Sequence, residues 1–190
     1  MKIIFGLGNI GSQYANTYHN AGFMALDICR NKLNMQRGKQ MCNGIVYEGN
    51  ISGQKVYLVY PTTYMNLSGV CVKSVLTKLK ASVSDALVVV DDFDLSAGSI
   101  RIRTQGSAGT HNGLRNIVAN IGTNFARVRI GTGNPHAIGQ DPKDFVLSSS
   151  AGKNKEFLEA VQKAADAVLD YIGGDSLDTL MQRYNGGHKD

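Results

Sequence analysis

The sequence has no tryptophan, only three prolines and three cysteines, and no apolar run that approaches the roughly 20 residues of a membrane span. Charged residues make up 18%, below the about 25% typical of soluble domains, whereas hydrophobic residues make up 43%. These values exclude a transmembrane helix and a disordered chain. Cys29, Cys42 and Cys71 are odd in number and lack C-x-x-C spacing, so we expect packed, reduced thiols rather than a disulfide framework or a zinc knuckle.

The length and the first residues favour one domain in the cytoplasm. A chain of 190 residues matches one ordinary domain, and no linker or repeat divides it, so we expect a single domain over residues 1–190. The apolar stretch at the start is short and broken by glycines, unlike the core of a signal peptide. We therefore expect a cytoplasmic protein without a membrane segment.

The net charge of +5 is distributed unevenly along the chain. Residues 30–80 hold eight lysines and arginines and one acid, residues 101–129 hold five arginines and no acid, and residues 156–178 hold six acids and one lysine. This pattern indicates one basic face. Because lysine and arginine supply most of the sequence-independent affinity for phosphates, a nucleic acid is one candidate partner, and ordinary solubilising charge is the alternative.

Strand and helix patterns alternate along the chain. Apolar runs predict strands over 3–5, 44–48, 55–60, 86–90, 99–104 and 126–130, of which 44–48 and 55–60 resemble a hairpin. Helical spacing predicts helices over 21–33, 66–79, 112–121, 153–172 and 176–184. The predicted fold class is α/β, a single-domain sandwich with a twisted mixed β-sheet and helices on both faces. Ligands of such sheets bind beyond the carboxyl ends of strands, where the polar motifs of this chain fall.

Three motifs suggest ligand sites that the surrounding sequence does not support well. Residues 6–11 match G-x-G-x-x-G, but no helical stripe opens within them and no acidic residue ends a second strand about 20 positions on, so dinucleotide binding is a weak alternative. Asp91, Asp92 and Asp94 could form a D-D-x-D metal site or a solvated turn, yet too few other ligands accompany them. The glycine-rich loop at 106–113 favours an anion or a flexible turn, and it lacks the G-K-[ST] ending of a phosphate-binding loop.

A histidine and an aspartate are the candidates for acid–base chemistry. His19 lies in a polar, aromatic stretch just before a predicted helix, where a histidine is a base or merely a cap or surface residue. Asp91 ends the most apolar predicted strand, so its carboxylate can be partly buried and directed at an imidazole. No serine-hydrolase G-x-S-x-G motif is present.

Taken together, these residues resemble the bacterial-type peptidyl-tRNA hydrolases over essentially the whole chain. The shared blocks, in chain order, are G-L-G-N-x-G-x-x-Y at 6–14, H-N-A-G at 19–22, P-T-T-Y-M-N-L-S-G at 61–69, D-D-F-D-L at 91–95, G-S-A-G-x-H-N-G-L at 106–114 and R-V-R-I-G at 127–131.

The resemblance implies a monomeric esterase that uses neither a metal nor another cofactor and that cleaves the bond between a peptide and the terminal ribose of tRNA. His19 would be the general base, Asp91 would orient it, and Asn9 would position water or stabilise the oxyanion. An ester attacked by water needs such a base and such donors but no protein nucleophile. The resemblance also implies a set of substrate-binding residues: Tyr14, Tyr64, Asn66, His111 and Asn112 at the peptide and acceptor end, and Arg101 and Arg129 on tRNA phosphate.

The chain departs from the family pattern at three positions. Ile10 and Ser96 stand where the family usually has proline, and Thr110 stands where it usually has glycine. All the proposed chemical residues are retained, so we expect reshaped loops that affect tRNA affinity more than chemistry. A non-catalytic RNA-binding relative, such as the plastid splicing factors, is the rival reading, but those proteins would carry a targeting presequence and a helper partner.

Overall fold

The computed structural model describes residues 1–186 and contains one seven-stranded sheet. The strands are β1 (Lys2–Gly6), β2 (Gly38–Met41), β3 (Gly44–Ile51), β4 (Gln54–Pro61), β5 (Ala86–Asp92), β6 (Ile100–Arg103) and β7 (Ala126–Gly131). The α-helices are α1 (Ala21–Lys32), α2 (Ser68–Leu79), α3 (Asn112–Ile121), α4 (Pro142–Val146), α5 (Lys155–Gly173) and α6 (Leu177–Tyr184). The last four residues of the expected domain, 187–190, lie outside the described residues.

The sheet is mixed, with the order β2-β3-β4-β1-β5-β7-β6. Strand β1 pairs in parallel with β4 and β5, and β5 pairs in parallel with β7, whereas the β2–β3, β3–β4 and β6–β7 pairs are antiparallel. The central strands are apolar on both sides because helices cover both faces of the sheet.

Each face of the sheet has its own hydrophobic core. Side chains of α1, α4, α5 and α6 form one core, and side chains of α2 and α3 form the other. The predicted α/β sandwich with helices on both faces is therefore confirmed. Cys29 and Cys71 are buried, Cys42 is half-buried and all three are free, as expected. No helix within residues 1–186 is long and apolar enough to cross a membrane.

Two glycines bring the start of α1 against the end of β1. A Cβ at Gly22 would lie 2.3 Å from the backbone nitrogen of Leu7, and a Cβ at Gly6 would lie 2.5 Å from the carbonyl oxygen of Gly22. Only glycine permits such a close approach. This contact places the residues just before α1 next to the carboxyl ends of β1 and β5. The role of Gly6 is therefore to let the helix pack closely against the strand.

The structure differs from the sequence-based prediction mainly in short or polar elements. Strand β2 was not predicted because its G-K-Q-M sequence is polar, and it lies exposed at one edge of the sheet. The short helix α4 was also missed. The helix expected from residue 66 begins at Ser68, after a 3₁₀ turn over 65–67, and β5 continues two residues beyond Val90.

Candidate active site

A cleft of about 750 Å³ opens beyond the carboxyl ends of the central strands. Seven of the predicted site residues line it: Asn9, His19, Tyr64, Asn66, Asp91, His111 and Asn112. The segment over residues 136–147 also lines the cleft, with residues that the sequence analysis had not named as site residues: His136, Pro142, Lys143, Val146 and Leu147. The cleft therefore lies where strand ends of an α/β sheet usually bind ligands.

The predicted pairing of His19 with Asp91 is present in the cleft. The Nδ1 atom of His19 lies 2.9 and 3.0 Å from the two carboxylate oxygens of Asp91. A carboxylate only accepts hydrogen bonds, so His19 carries its proton on Nδ1. Its Nε2 has no hydrogen-bond partner within residues 1–186 and is left as the unprotonated nitrogen of a side chain that lines the cleft.

Burial and charge set the protonation of this pair. Burial by itself lowers the pKa of His19, but the negative charge of Asp91 and the hydrogen bond to it outweigh burial and raise that pKa above its usual value. Burial raises the pKa of Asp91, yet the imidazoles of His19 and His111 more than offset burial and hold that pKa well below its usual range. Asp91 is therefore ionised at neutral pH although only 2% of it is exposed.

His111 is a second imidazole on the same carboxylate. Its Nε2 lies 2.9 Å from Oδ1 of Asp91, and its Nδ1 accepts the backbone N–H of Leu114 at 3.2 Å. Nδ1 is thus unprotonated and Nε2 donates, which fixes the neutral tautomer. His111 is also the N-cap of α3. Sequence reasoning placed His111 beside the acceptor end and missed both of these bonds.

His19, Asp91 and His111 also form the donor set of a transition-metal site, because their ligand atoms all lie within 4.8 Å of one another. A metal there would have to displace the protons on His19 Nδ1 and His111 Nε2. The displaced His111 proton would move to Nδ1 and oppose the N–H of Leu114. The hydrogen-bonded arrangement therefore fits acid–base chemistry better than metal binding.

The D-D-x-D alternative is not assembled in the structure. Asp91 and Asp92 are consecutive strand residues and point to opposite faces of the sheet. Asp91 accepts from the two histidines, whereas Asp92 pairs with Arg129 at 2.5 Å and its Oδ1 accepts the backbone N–H of Asp94. These carboxylates do not converge on a common ion.

Asn9 is held by three hydrogen bonds. Its Oδ1 accepts the backbone N–H of Met65 at 2.9 Å. Its backbone N–H donates to Oδ1 of Asn20 at 2.9 Å, and Nδ2 of Asn20 donates to the Asn9 carbonyl at 3.0 Å. Because the side-chain oxygen is occupied, the amide orientation is fixed and the NH₂ group remains as a donor at the cleft.

The side chains of Asn66 and Asn112 are free to bind a ligand. The N-cap of α2 is Leu67 rather than Asn66, and Asn112 is the first residue of α3 rather than its cap. Neither side-chain amide makes a hydrogen bond to the described part of the chain. Tyr64 is 62% exposed at the rim of the cleft.

The other predicted site residues lie outside the cleft. Tyr14 is in a 3₁₀ turn over residues 12–14 and is not among the lining residues. Arg101 and Arg129 are direct register partners on β6 and β7, so they lie close together. Arg129 already pairs with Asp92, a contact that the sequence did not indicate.

Arg127 has a structural role that sequence alternation did not predict. It is 2% exposed, and its guanidinium donates to the carbonyl oxygens of Ser107 and Thr123 at 2.9 and 3.1 Å. It therefore pins the glycine-rich loop that leads to His111. The sequence feature that could have predicted this role is the glycine-rich loop, because buried backbone carbonyl groups in a loop need hydrogen-bond donors.

The sequence of the chain is similar to a family model and to relatives that carry the same name. A family model described as peptidyl-tRNA hydrolase matches residues 3–190. A protein named peptidyl-tRNA hydrolase from Clostridium botulinum (strain Alaska E43 / Type E3) is 41% identical over 188 residues, which cover 98% of this chain and 96% of the relative. The protein of that name from Bacillus subtilis (strain 168) is 43% identical over 169 residues, covering 88% and 89%.

Solved structures agree with the sequence relatives. A peptidyl-tRNA hydrolase crystallised with N-propanol has a TM-score of 0.86 and 35% identity, covering 98% of this chain and 95% of that one. The enzyme from Acinetobacter baumannii has a TM-score of 0.80 and 36% identity, covering 96% and 89%. A 5′-methylthioadenosine nucleosidase from Arabidopsis thaliana, with a TM-score of 0.53 and 10% identity over 93% and 98% of the chains, shares the fold alone.

Proposed function

The chain belongs to the peptidyl-tRNA hydrolase family, and we propose that it hydrolyses the ester between a peptide and tRNA with His19 as the general base. The observation that carries this proposal is the contact between His19 Nδ1 and the buried Asp91 carboxylate. This contact leaves Nε2 as the basic nitrogen of a side chain that lines the cleft. Attack of water on an ester needs a base whose pKa lies near 7, and a positioned imidazole contributes about 10²–10⁴ in rate.

The reaction proceeds through attack of water on the ester carbonyl. His19 Nε2 takes a proton from the water as the water oxygen bonds to the carbonyl carbon. The Asn9 NH₂ group donates to the oxyanion, and as a neutral amide it does so without titrating. When the intermediate collapses, the bond between carbon and the ribose oxygen breaks, and the imidazolium returns its proton to that oxygen. The products are the free peptide and intact tRNA.

Asp91 and His111 keep the base in its working state. Asp91 holds the Nδ1–H tautomer of His19 and stabilises the imidazolium that forms during attack. His111 donates to Asp91 from a ring that is itself fixed by Leu114, so it restricts rotation of the carboxylate. His111 is in this account a positioning residue for Asp91.

The remaining polar groups recognise the substrate. Asn66 and Asn112 offer unpaired amides to the peptide backbone and the ester, and Tyr64 offers an exposed ring to the same ligand. Arg101 and Arg129 contact tRNA phosphate outside the cleft, and Arg129 exchanges Asp92 for the phosphate. Tyr14 is also assigned a place near the substrate, because its 3₁₀ turn lies shortly before His19 in the chain.

The proposal also covers the substrate, the oligomeric state and the location of the enzyme. The enzyme acts on the acceptor end of peptidyl-tRNA, as a monomer in the cytoplasm. It has one domain over residues 1–190 and uses no cofactor in the chemistry. The uneven charge, with arginines over residues 101–129 and acids over 156–178, supports a single tRNA-binding face.

The direct test is incubation with N-acetylated aminoacyl-tRNA in the presence of a chelator. We expect release of the acetylated amino acid together with intact tRNA that can be charged again. Size-exclusion chromatography with light scattering on the same preparation tests the monomer. Retention of the acyl group on the tRNA, or cleavage only after metal is restored, would contradict the proposed chemistry.

A further inference from the structure

A second cavity of about 330 Å³ adjoins the active-site cleft, and Asn9 lines both. The wall between them contains the reciprocal pair of Asn9 and Asn20. The mechanism above uses only Asn9 among the residues of this second cavity. Ile10, 43% exposed and in a position where the family usually has proline, also lines it.

The walls of the second cavity are aromatic. Phe23 and Tyr60 have ring centroids 5.3 Å apart, and Tyr47 and Tyr60 have centroids 5.6 Å apart in an edge-on arrangement. All three rings line the cavity. Aromatic side chains that line a partly open cavity are a common stacking surface for nucleic-acid bases.

Asp27 is the one charged residue among those that line the second cavity. Asp27 lines it with a side chain that is 56% exposed, and its Oδ1 accepts the Tyr60 hydroxyl at 3.0 Å. Arg30 lies 3.8 Å from the same oxygen, and its guanidinium carbon is 5.2 Å from the centroid of the Tyr47 ring. The second carboxylate oxygen of Asp27 makes no hydrogen bond within residues 1–186, so it is available as an acceptor.

We propose that the second cavity binds the cytosine that precedes the ester-bearing adenosine in the single-stranded acceptor end of tRNA. The base stacks against the aromatic wall, and its exocyclic amino group donates to Asp27. This inference rests on the proposed function, because it requires the substrate's terminal ribose to lie in the cleft beside His19 and Asn9. The neighbouring nucleotide then reaches the cavity on the far side of Asn9.

The chemistry of the cavity favours cytosine over the other parts of the substrate. A carboxylate matches the cytosine amino group, whereas adenine is matched best by an asparagine or glutamine amide that can both donate and accept. A peptide backbone would present carbonyl oxygens to Asp27 as often as N–H groups. Arg30 balances the charge of Asp27, so the carboxylate does not repel the RNA backbone strongly.

The test uses N-acetyl-phenylalanyl esters of adenosine, of CpA and of CpCpA. For Tyr47→Leu we expect KM to rise about tenfold on the CpA and CpCpA esters, within the range measured for loss of one base-stacking contact. For Asp27→Asn we expect a rise of about the same size, because the variant loses a hydrogen bond to a charged acceptor. We expect kcat to be unchanged on all three esters, and KM to be unchanged on the adenosine ester. Asp166→Asn is the matched control, because Asp166 is also an exposed carboxylate paired with a cation, Lys32 at 3.4 Å, on a different helix.

Thermal melts separate a folding defect from a binding defect. Asp27→Asn keeps a side-chain oxygen that can accept the Tyr60 hydroxyl, so we expect it to fold normally. If Tyr47→Leu is unstable, the KM values of Asp27→Asn alone test the proposal. Parent-like KM on all three esters for Asp27→Asn would overturn the proposal. An equal rise on the adenosine ester would also overturn it and would assign the cavity to adenine or to the acyl group. Hydrolysis of N-acetylated aminoacyl-tRNA by the parent protein is read separately, so failure of the proposed function is distinguishable.

Discussion

Replacement of His111 by alanine separates a positioning role from a substrate-bordering role. The change removes the acceptor of the Leu114 N–H, a helix cap that contributes about 1 kcal/mol. It also removes the donor at 2.9 Å from the buried Asp91 carboxylate, a bond to a charged group that contributes about 1.5–3 kcal/mol. The expected loss is about 3 kcal/mol, and at about 2–4 °C per kcal/mol for a chain of this size the Tm falls by about 6–12 °C.

The kinetic consequence of His111→Ala is a lower kcat rather than a higher KM. With one of its two imidazole partners gone, Asp91 can rotate away from His19, and we expect kcat for N-acetylated aminoacyl-tRNA to fall about tenfold. His111→Asn is the control, because its short side chain can cap Leu114 but cannot reach Asp91. It should regain about 1 kcal/mol of stability without regaining kcat. A parent-like kcat with a raised KM in His111→Ala would refute the positioning role.

Four further substitutions test the other parts of the site. In Asp91→Asn, loss of the charge that raises the pKa of His19 should move the acid limb of the kcat/KM profile to lower pH while the plateau falls. Asn66→Asp and Asn112→Asp should keep the Tm within a few degrees but abolish hydrolysis, because aspartate cannot donate to a peptide carbonyl. Arg101→Ala should raise KM for peptidyl-tRNA and reduce the log–log salt slope of binding by about one, with a short ester cut as before.

The central sheet and the catalytic pair could be predicted because strong local patterns encode them. The run of five apolar residues before Asp91 includes three consecutive valines and favours a buried strand, and the apolar spacing over residues 112–121 gives a helix with the observed bounds. Asp91 was the expected partner of His19 because it ends a buried strand, and ligands of such sheets bind beyond the carboxyl ends of strands. The parallel pairing of β1 with β5, which brings the two residues together, was not predicted.

The elements that escaped prediction depend on tertiary context. Strand β2 is polar and exists because β3 offers it an open edge, and no pattern within its own sequence encodes that pairing. Arg127 and Arg129 occupy equivalent alternating positions of the same strand. The glycine-rich loop nevertheless buries Arg127, whereas Arg129 stays half-exposed and pairs with Asp92. The two bonds of His111 depend on the path of the same loop, which a single histidine in the sequence does not specify.

The most direct test of the account is the turnover of His19→Ala measured together with its affinity for tRNA. A base acts on the transition state, so kcat for N-acetylated aminoacyl-tRNA should fall by at least about two powers of ten while the Kd for deacylated tRNA stays near the parent value. Hydrolysis by His19→Ala at the parent rate, with a folded protein confirmed by its thermal melt, would contradict the assignment of His19 as the base.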